Sequence, residues 1–103
     1  MSETCFFVYM LRCGDDSLYT GYTNDVEKRL RAHAQGLGAK YTRSHLPVKL
    51  AGYWPCSSKR EALQIEAAIK RLPREKKEAL LSHFKSGAPL SITQFLPQDC
   101  RDN

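Results

Sequence analysis

The chain has 103 residues, of which 42% are hydrophobic and 26% charged. That suits one globular domain over residues 1–103 and argues against disorder. A net charge of +5 on a folded domain favours a polyanionic partner, and no apolar run approaches the roughly 18 residues of a membrane span.

Residues Cys5 to Leu11 form an apolar, β-branched and aromatic run, and Ser17 to Thr23 form another. Gly14-Asp15-Asp16 between them is turn chemistry, so a β-hairpin is expected. Asn24 is the expected cap of a first helix, with Asp25 and Glu27 in its first turn. Val26, Leu30, Ala34 and Leu37 give that helix one apolar stripe, and Gly36 and Gly38 end it.

A polar loop from Gly38 to Pro47 carries Lys40, Tyr41, Arg43 and His45. Val48 to Trp54 alternates as a third strand. Ser58 and Glu61 make a capping box for a helix whose inner face is Ala62, Ile65, Ile69 and Leu72. Pro73 breaks it, and Arg74 to Lys85 reads as a last helix ending at Gly87. Phe95 and Leu96 are expected to tuck against the core, and Gln98 to Asn103 to fray. The fold class is α+β: a small three-stranded antiparallel sheet flanked by helices in the order ββαβαα, with a core of about 5–84 and a tail of 85–103. Cys5, Cys13, Cys56 and Cys100 form no CxxC pair, which argues against a zinc ribbon. No charged and then apolar leader is visible at Glu3 and Thr4, so reduced thiols in a cytoplasmic protein are expected.

Several polar residues stand where chemistry can use them. If the hairpin turn pairs Arg12 with Asp16, Tyr9 lies opposite Tyr19 and both phenols leave the same face. Ordinary strand tyrosines are the plainer alternative. Arg29 and His33, four apart, share one helix face at the edge of the apolar stripe. Arginine clamps phosphate, and histidine moves protons near neutral pH. Glu66 falls inside the apolar stripe of its helix, where an unpaired carboxylate is costly. It suits Mg²⁺, which keeps waters and takes one or two carboxylates plus a phosphate oxygen. The alternative is a buried ion pair, for which Arg29 is the candidate. Lys40, Tyr41 and Arg43 suit phosphate contact and base stacking.

These residues, in this order, resemble the GIY-YIG endonuclease superfamily, and most of all its small stand-alone bacterial members. Phe7-Val8-Tyr9 matches the first motif and Tyr19-Thr20-Gly21 the second. Arg29, His33 and Glu66 fall at the family's helix arginine, following His or Tyr, and metal-binding glutamate. The match runs from about Cys5 to about Phe84. Phe7 replaces the name's glycine and Thr20 its isoleucine. Many active members carry an asparagine about a dozen residues after the glutamate, whereas here Asn103 is the only one beyond Glu66.

The resemblance implies metal-dependent cleavage of the phosphodiester backbone of DNA, with repair or recombination as its setting. Tyr19 would contact or activate the attacking water, and Tyr9 would support it. Arg29 would neutralise the phosphate, and His33 would assist proton transfer. Glu66 would hold one Mg²⁺ or Mn²⁺, and Gly21 is a structural motif residue. A nucleic-acid-binding module without efficient catalysis is the alternative, and a protein-interaction domain a third. With no separate DNA-binding domain, target choice would rest with this module or a protein partner.

Overall fold

Both N-terminal strands form. In the computed structural model, which describes residues 5–83, 85–90 and 95, β1 (Phe6–Arg12) pairs antiparallel with β2 (Leu18–Thr23). Then follow α1 (Val26–Ala34), α2 (Lys40–Arg43), β3 (Lys49–Cys56), α3 (Lys59–Lys70) and α4 (Arg74–His83). The sheet order is β2-β1-β3, so β1 is central and β2 and β3 are edges. That explains why β1 reads as a continuous apolar run: Val8, Tyr9, Met10 and Leu11 are all buried, as expected of a strand covered on both faces. The order anticipated from sequence is found, with one addition: Lys40 to Arg43, expected as loop, close one helical turn.

The hairpin register differs from expectation by two residues. Arg12 pairs with Leu18, Leu11 with Tyr19 and Tyr9 with Gly21. The turn is longer because Asp16 takes a left-handed conformation at φ 69°, while the Asp15 carboxylate accepts from the Ser17 backbone and hydroxyl at 3.1 and 2.5 Å. A shift of two conserves the face, so Tyr9 and Tyr19 still leave the sheet on the same side. Arg12 and Asp16 meet through side chains instead, at 3.2 Å.

The two faces of the sheet carry different layers. Val8, Met10 and Trp54 pack against Ala62, Ile65 and Ile69 of α3 and Leu80 of α4. Phe7 and Tyr53 face Val26 and Leu30 of α1 on the opposite side. At the bulge between Met10 and Leu11, Met10 pairs with Gly52 and Leu11 with Leu50, leaving Ala51 as the extra residue.

Asp25 caps α1, one residue past the expected Asn24, by accepting from the Lys28 N–H at 3.1 Å. The apolar stripe expected to reach Leu37 stops early. Gly36 turns left-handed at φ 80°, with the Leu37 N–H on the Ala32 carbonyl at 2.8 Å and the Gly36 N–H on that of His33 at 3.0 Å. This double bond pattern ends the helix and leaves Ala34 exposed and Leu37 72% exposed. The buried residue of α1 is His33.

Ser58 caps α3 by accepting from the Glu61 N–H at 3.1 Å. The Glu61 carboxylate returns to Ser57 rather than Ser58, accepting from its N–H and hydroxyl at 3.0 and 2.6 Å. Past α4 the chain returns along β3, where the Leu90 N–H donates to Pro55 at 3.1 Å. Phe95 packs on the core as expected, while Leu96 and Gln98 to Asn103 lie outside the described residues. Cys5, Cys13 and Cys56 are free thiols.

Candidate active site

Tyr9 is placed by an absence of side chain. It lies opposite Gly21, and a Cβ at position 21 would come within 2.6 Å of the Tyr9 hydroxyl. The ring therefore lies across β2 in the space that glycine leaves and carries its phenol toward the free edge of the sheet. There the hydroxyl meets His33 Nε2 at 2.9 Å.

His33 is fully buried, and both ring nitrogens are engaged. Nδ1 lies 2.7 Å from Thr42 Oγ1, and the single hydroxyl proton of Thr42 goes to the Ala39 carbonyl at 3.0 Å. Thr42 therefore accepts from Nδ1–H, and Nε2 accepts from Tyr9. The result is one directed chain: Tyr9 to His33 to Thr42 to the backbone of residue 39. Helix α2 exists to present Thr42, and Gly38 lets the chain pass close over the imidazole, since a Cβ there would collide with its ring. Burial, and then the nearby Arg29 charge, hold His33 below its ordinary 6.5, so it is neutral at physiological pH. Thr42 and Gly38 carry no sequence signal for these roles, because the contact with His33 is tertiary.

Tyr19 lies beside this chain, its ring centroid 5.3 Å from that of His33 and 6.5 Å from that of Tyr9. Among the described residues its hydroxyl has no hydrogen-bond partner, which leaves it available to a water or a substrate oxygen. Tyr41 is 41% exposed but not free. Its ring stacks on His45 at 4.1 Å and on Tyr19 at 6.1 Å, and its hydroxyl donates to Ser17 at 2.6 Å. Lys40 and Arg43 point outward from the same turn, both exposed.

Arg29 and Glu66 approach Tyr9 from different layers. Burial raises the Tyr9 phenol above its ordinary 10.0, hydrogen bonding to Arg29 lowers it, and the charges of Tyr19 and Glu66 raise it. Arg29 is solvent-exposed and lines an open cleft with Lys59 at the start of α3. Although α3 packs on the face opposite α1, it runs beside the edge strand β2, so Glu66 is felt at Tyr9. Its side chain is only 16% exposed and pairs with Lys70 at 3.2 Å. The ion-pair partner is thus Lys70, one turn along the same helix, and not Arg29.

Among the described residues no three His, Cys, Asp or Glu side chains cluster as metal ligands. One shielded carboxylate fits a hard cation that keeps most of its waters and completes its shell from a phosphate. It does not fit zinc. Twelve positions past Glu66, where the resemblance calls for asparagine, stands Glu78. It binds Arg12 in two hydrogen bonds of 3.0 and 2.9 Å and Arg74 in two more of 3.1 and 2.9 Å.

The order of these residues along the chain matches a model of the GIY-YIG catalytic domain over residues 5–79. The chain belongs to the GIY-YIG family. This GIY-YIG domain is 51% identical over 90 residues to the UPF0213 protein BH0048 of Halalkalibacterium halodurans, covering 87% of this chain and 94% of that one. It is 50% identical over 86 residues to the UPF0213 protein YazA of Bacillus subtilis, covering 84% and 87%. The solution NMR structure of BH0048 matches with a TM-score of 0.52 at 49% identity, covering 77% of this chain and 84% of that one. That of the protein EF2693 from E. faecalis matches at 0.56 and 40%, covering 81% and 88%.

Proposed function

We propose that this GIY-YIG domain is a metal-dependent endonuclease that cuts the phosphodiester backbone of DNA. The observation that carries the reading is the directed chain from Tyr9 through His33 to Thr42, whose Tyr9 end is under the influence of Arg29 and Glu66. A strand tyrosine needs no buried, doubly bonded imidazole behind it for packing alone. General base catalysis does, because a neutral imidazole can take a proton that the phenol relays.

As a water attacks phosphorus, its proton passes to the Tyr9 oxygen while the Tyr9 proton passes to His33 Nε2. Thr42 holds the imidazole in the tautomer that leaves Nε2 free to accept. On this reading Tyr9 relays the proton and the Tyr19 hydroxyl, which has no hydrogen-bond partner among the described residues, orients the water, the reverse of the division that the resemblance implies. Arg29 binds the phosphate and offsets charge that builds in the transition state. Glu66 would hold a divalent cation, Mg²⁺ or Mn²⁺, which would supply charge neutralisation at the departing oxygen. Lys40, Tyr41 and Arg43 extend the nucleic-acid surface along the same side.

One observation favours a second reading, a nucleic-acid-binding module without efficient catalysis: Glu78 and its arginine pairs replace the family's asparagine. The deciding experiment is incubation of the pure protein with labelled single-stranded, duplex and branched DNA in Mg²⁺, Mn²⁺ or EDTA, beside Glu66→Gln. Metal-dependent cleavage by wild type alone is the expected result. Binding without cleavage in any metal sinks the nuclease reading and leaves the binding module.

A further inference from the structure

Thr20 is the residue that replaces the isoleucine of the family's second motif, and the chemistry proposed above makes no use of it. It is 3% exposed, and its hydroxyl has no hydrogen-bond partner among the described residues. Burying a hydroxyl without a partner costs free energy that an isoleucine side chain would not. Such a group calls for a ligand or a bound water. Thr20 lines an open cleft of about 350 Å³ with Leu18, Tyr19, Tyr41, Lys70 and Lys77. The cleft lies along the free edge of β2, and Tyr19 belongs both to its wall and to the reaction centre. Lys70 and Lys77 bring two ammonium groups to it from α3 and α4, which are consecutive in the chain. No ion pair engages Lys77 among the described residues, and the partner of Lys70 is the candidate metal-binding Glu66.

We propose that this cleft is a second phosphate subsite, which holds a backbone phosphate of the nucleic-acid strand next to the one under attack. Lys70 and Lys77 neutralise it, and the Thr20 hydroxyl gains its missing partner from the phosphate or from a water bound to it. The strand then follows the edge of β2, with Arg29 and Lys59 at one cleft and Lys70 and Lys77 at the other. The subsite rests on the nucleic-acid reading above and deepens it. Lys70 serves both charges at once: its half-exposed ammonium pairs with the Glu66 carboxylate at 3.2 Å and also lines the cleft.

The test is binding of a fluorescent oligonucleotide in EDTA, where no cleavage can occur, across a range of salt concentrations. Lys77→Ala and Lys70→Ala should each lower the log–log salt slope by about one. Lys77→Ala is the cleaner variant, since Lys70→Ala also strips Glu66 of its counterion. Lys49→Ala, on the far edge strand, should leave the slope unchanged. Thr20→Val should bind roughly tenfold more weakly at an unchanged slope, the scale of one hydrogen bond to a charged group. It should also melt at a higher temperature, because the orphaned hydroxyl is gone. If both lysine variants keep the wild-type slope while Arg29→Ala lowers it, the subsite falls and the nuclease reading stands. If wild type binds no oligonucleotide, both fall. An NMR titration separates strand from free anion: inorganic phosphate that shifts Thr20 and Lys77 as strongly as the oligonucleotide does overturns the strand assignment.

Discussion

The phenol of Tyr9 occupies the space that a side chain at Gly21 would fill. The two residues pair across β1 and β2, and a Cβ at 21 would stand 2.6 Å from the Tyr9 hydroxyl and 2.8 Å from Cζ. The conformational freedom of Gly21 is not at issue, since it lies in a regular strand. What matters is that only hydrogen leaves room for the ring to cross β2 and reach His33.

Gly21→Ala should therefore displace the Tyr9 ring and break its 2.9 Å bond to His33. Overpacking of this kind costs about 1–3 kcal/mol of stability. A shift of about 1 Å in a reacting group costs roughly 100-fold in rate. Thermal melts and cleavage rates on one substrate would check both. Wild-type cleavage by Gly21→Ala would place the reactive phenol elsewhere, with Tyr19 next in line.

His33 gives the protein a pH dependence with a definite sign. Its folded value lies below its unfolded 6.5, so the unfolded chain binds the proton more readily. Stability is complete above about 6.5 and falls as pH drops from there toward the folded value, by at most about 1.4 kcal/mol per pH unit. His33→Gln, which cannot titrate, should flatten this part of the profile in denaturant melts. Cleavage should rise with pH through the same depressed value, because only neutral His33 can accept from Tyr9. A rate that stays flat with falling pH until the fold itself is lost would remove His33 from the proton path.

Glu66→Gln keeps the shape of the side chain and removes the charge that would hold a cation. It should fold, still bind DNA and lose cleavage by at least about 100-fold, the scale of one main electrostatic contributor. It should also bind Mn²⁺ more weakly by calorimetry. Equal cleavage by variant and wild type would move the metal site away from α3.

The Glu78 carboxylate sits between Arg12 of β1 and Arg74 of α4, and Arg74 also pairs with Asp16 in the hairpin turn at 3.1 Å. Hydrogen bonds from Arg12 hold Glu78 down to about 2 from an ordinary 4.5. The contribution is present above about 4.5 and is lost as pH falls toward about 2. Because these side chains are 26% to 70% exposed, solvent screens them, and Glu78→Gln should cost on the order of 1 kcal/mol. No loss in Glu78→Gln melts at pH 7 would show that the tie does not hold α4 to the hairpin.

Lys40→Ala and Arg43→Ala test the α2 surface. Each should lower the salt slope of DNA binding by about one if it contacts a phosphate. Unchanged slopes for both would confine the role of α2 to presenting Thr42 behind His33.

The sequence by itself determined the order of all the elements except the single turn of α2, because the periods of 2 and 3.6, the caps and Pro73 are local signals. That Tyr9 and Tyr19 share a face was conditional on the register, and it held because the shift found is of two residues, whereas a shift of one would have put them on opposite faces. The motif residues Tyr9, Gly21, Arg29, His33 and Glu66 were legible through the resemblance to the family's motifs. Only the tertiary structure decided how they are wired. The hairpin register turned on Asp16 and the Asp15 side chain, and the end of α1 on Gly36, each a geometry that several residue types tolerate. The Glu66–Lys70 pair, by contrast, is a local signal at helical spacing that the sequence carried, and the structure had only to rule out Arg29, which stands in the opposite layer. Thr42 behind His33, Glu78 between two arginines and Thr20 without a partner come from segments distant in the chain. Their contacts exist only once the layers close on the sheet, and no local pattern encodes them.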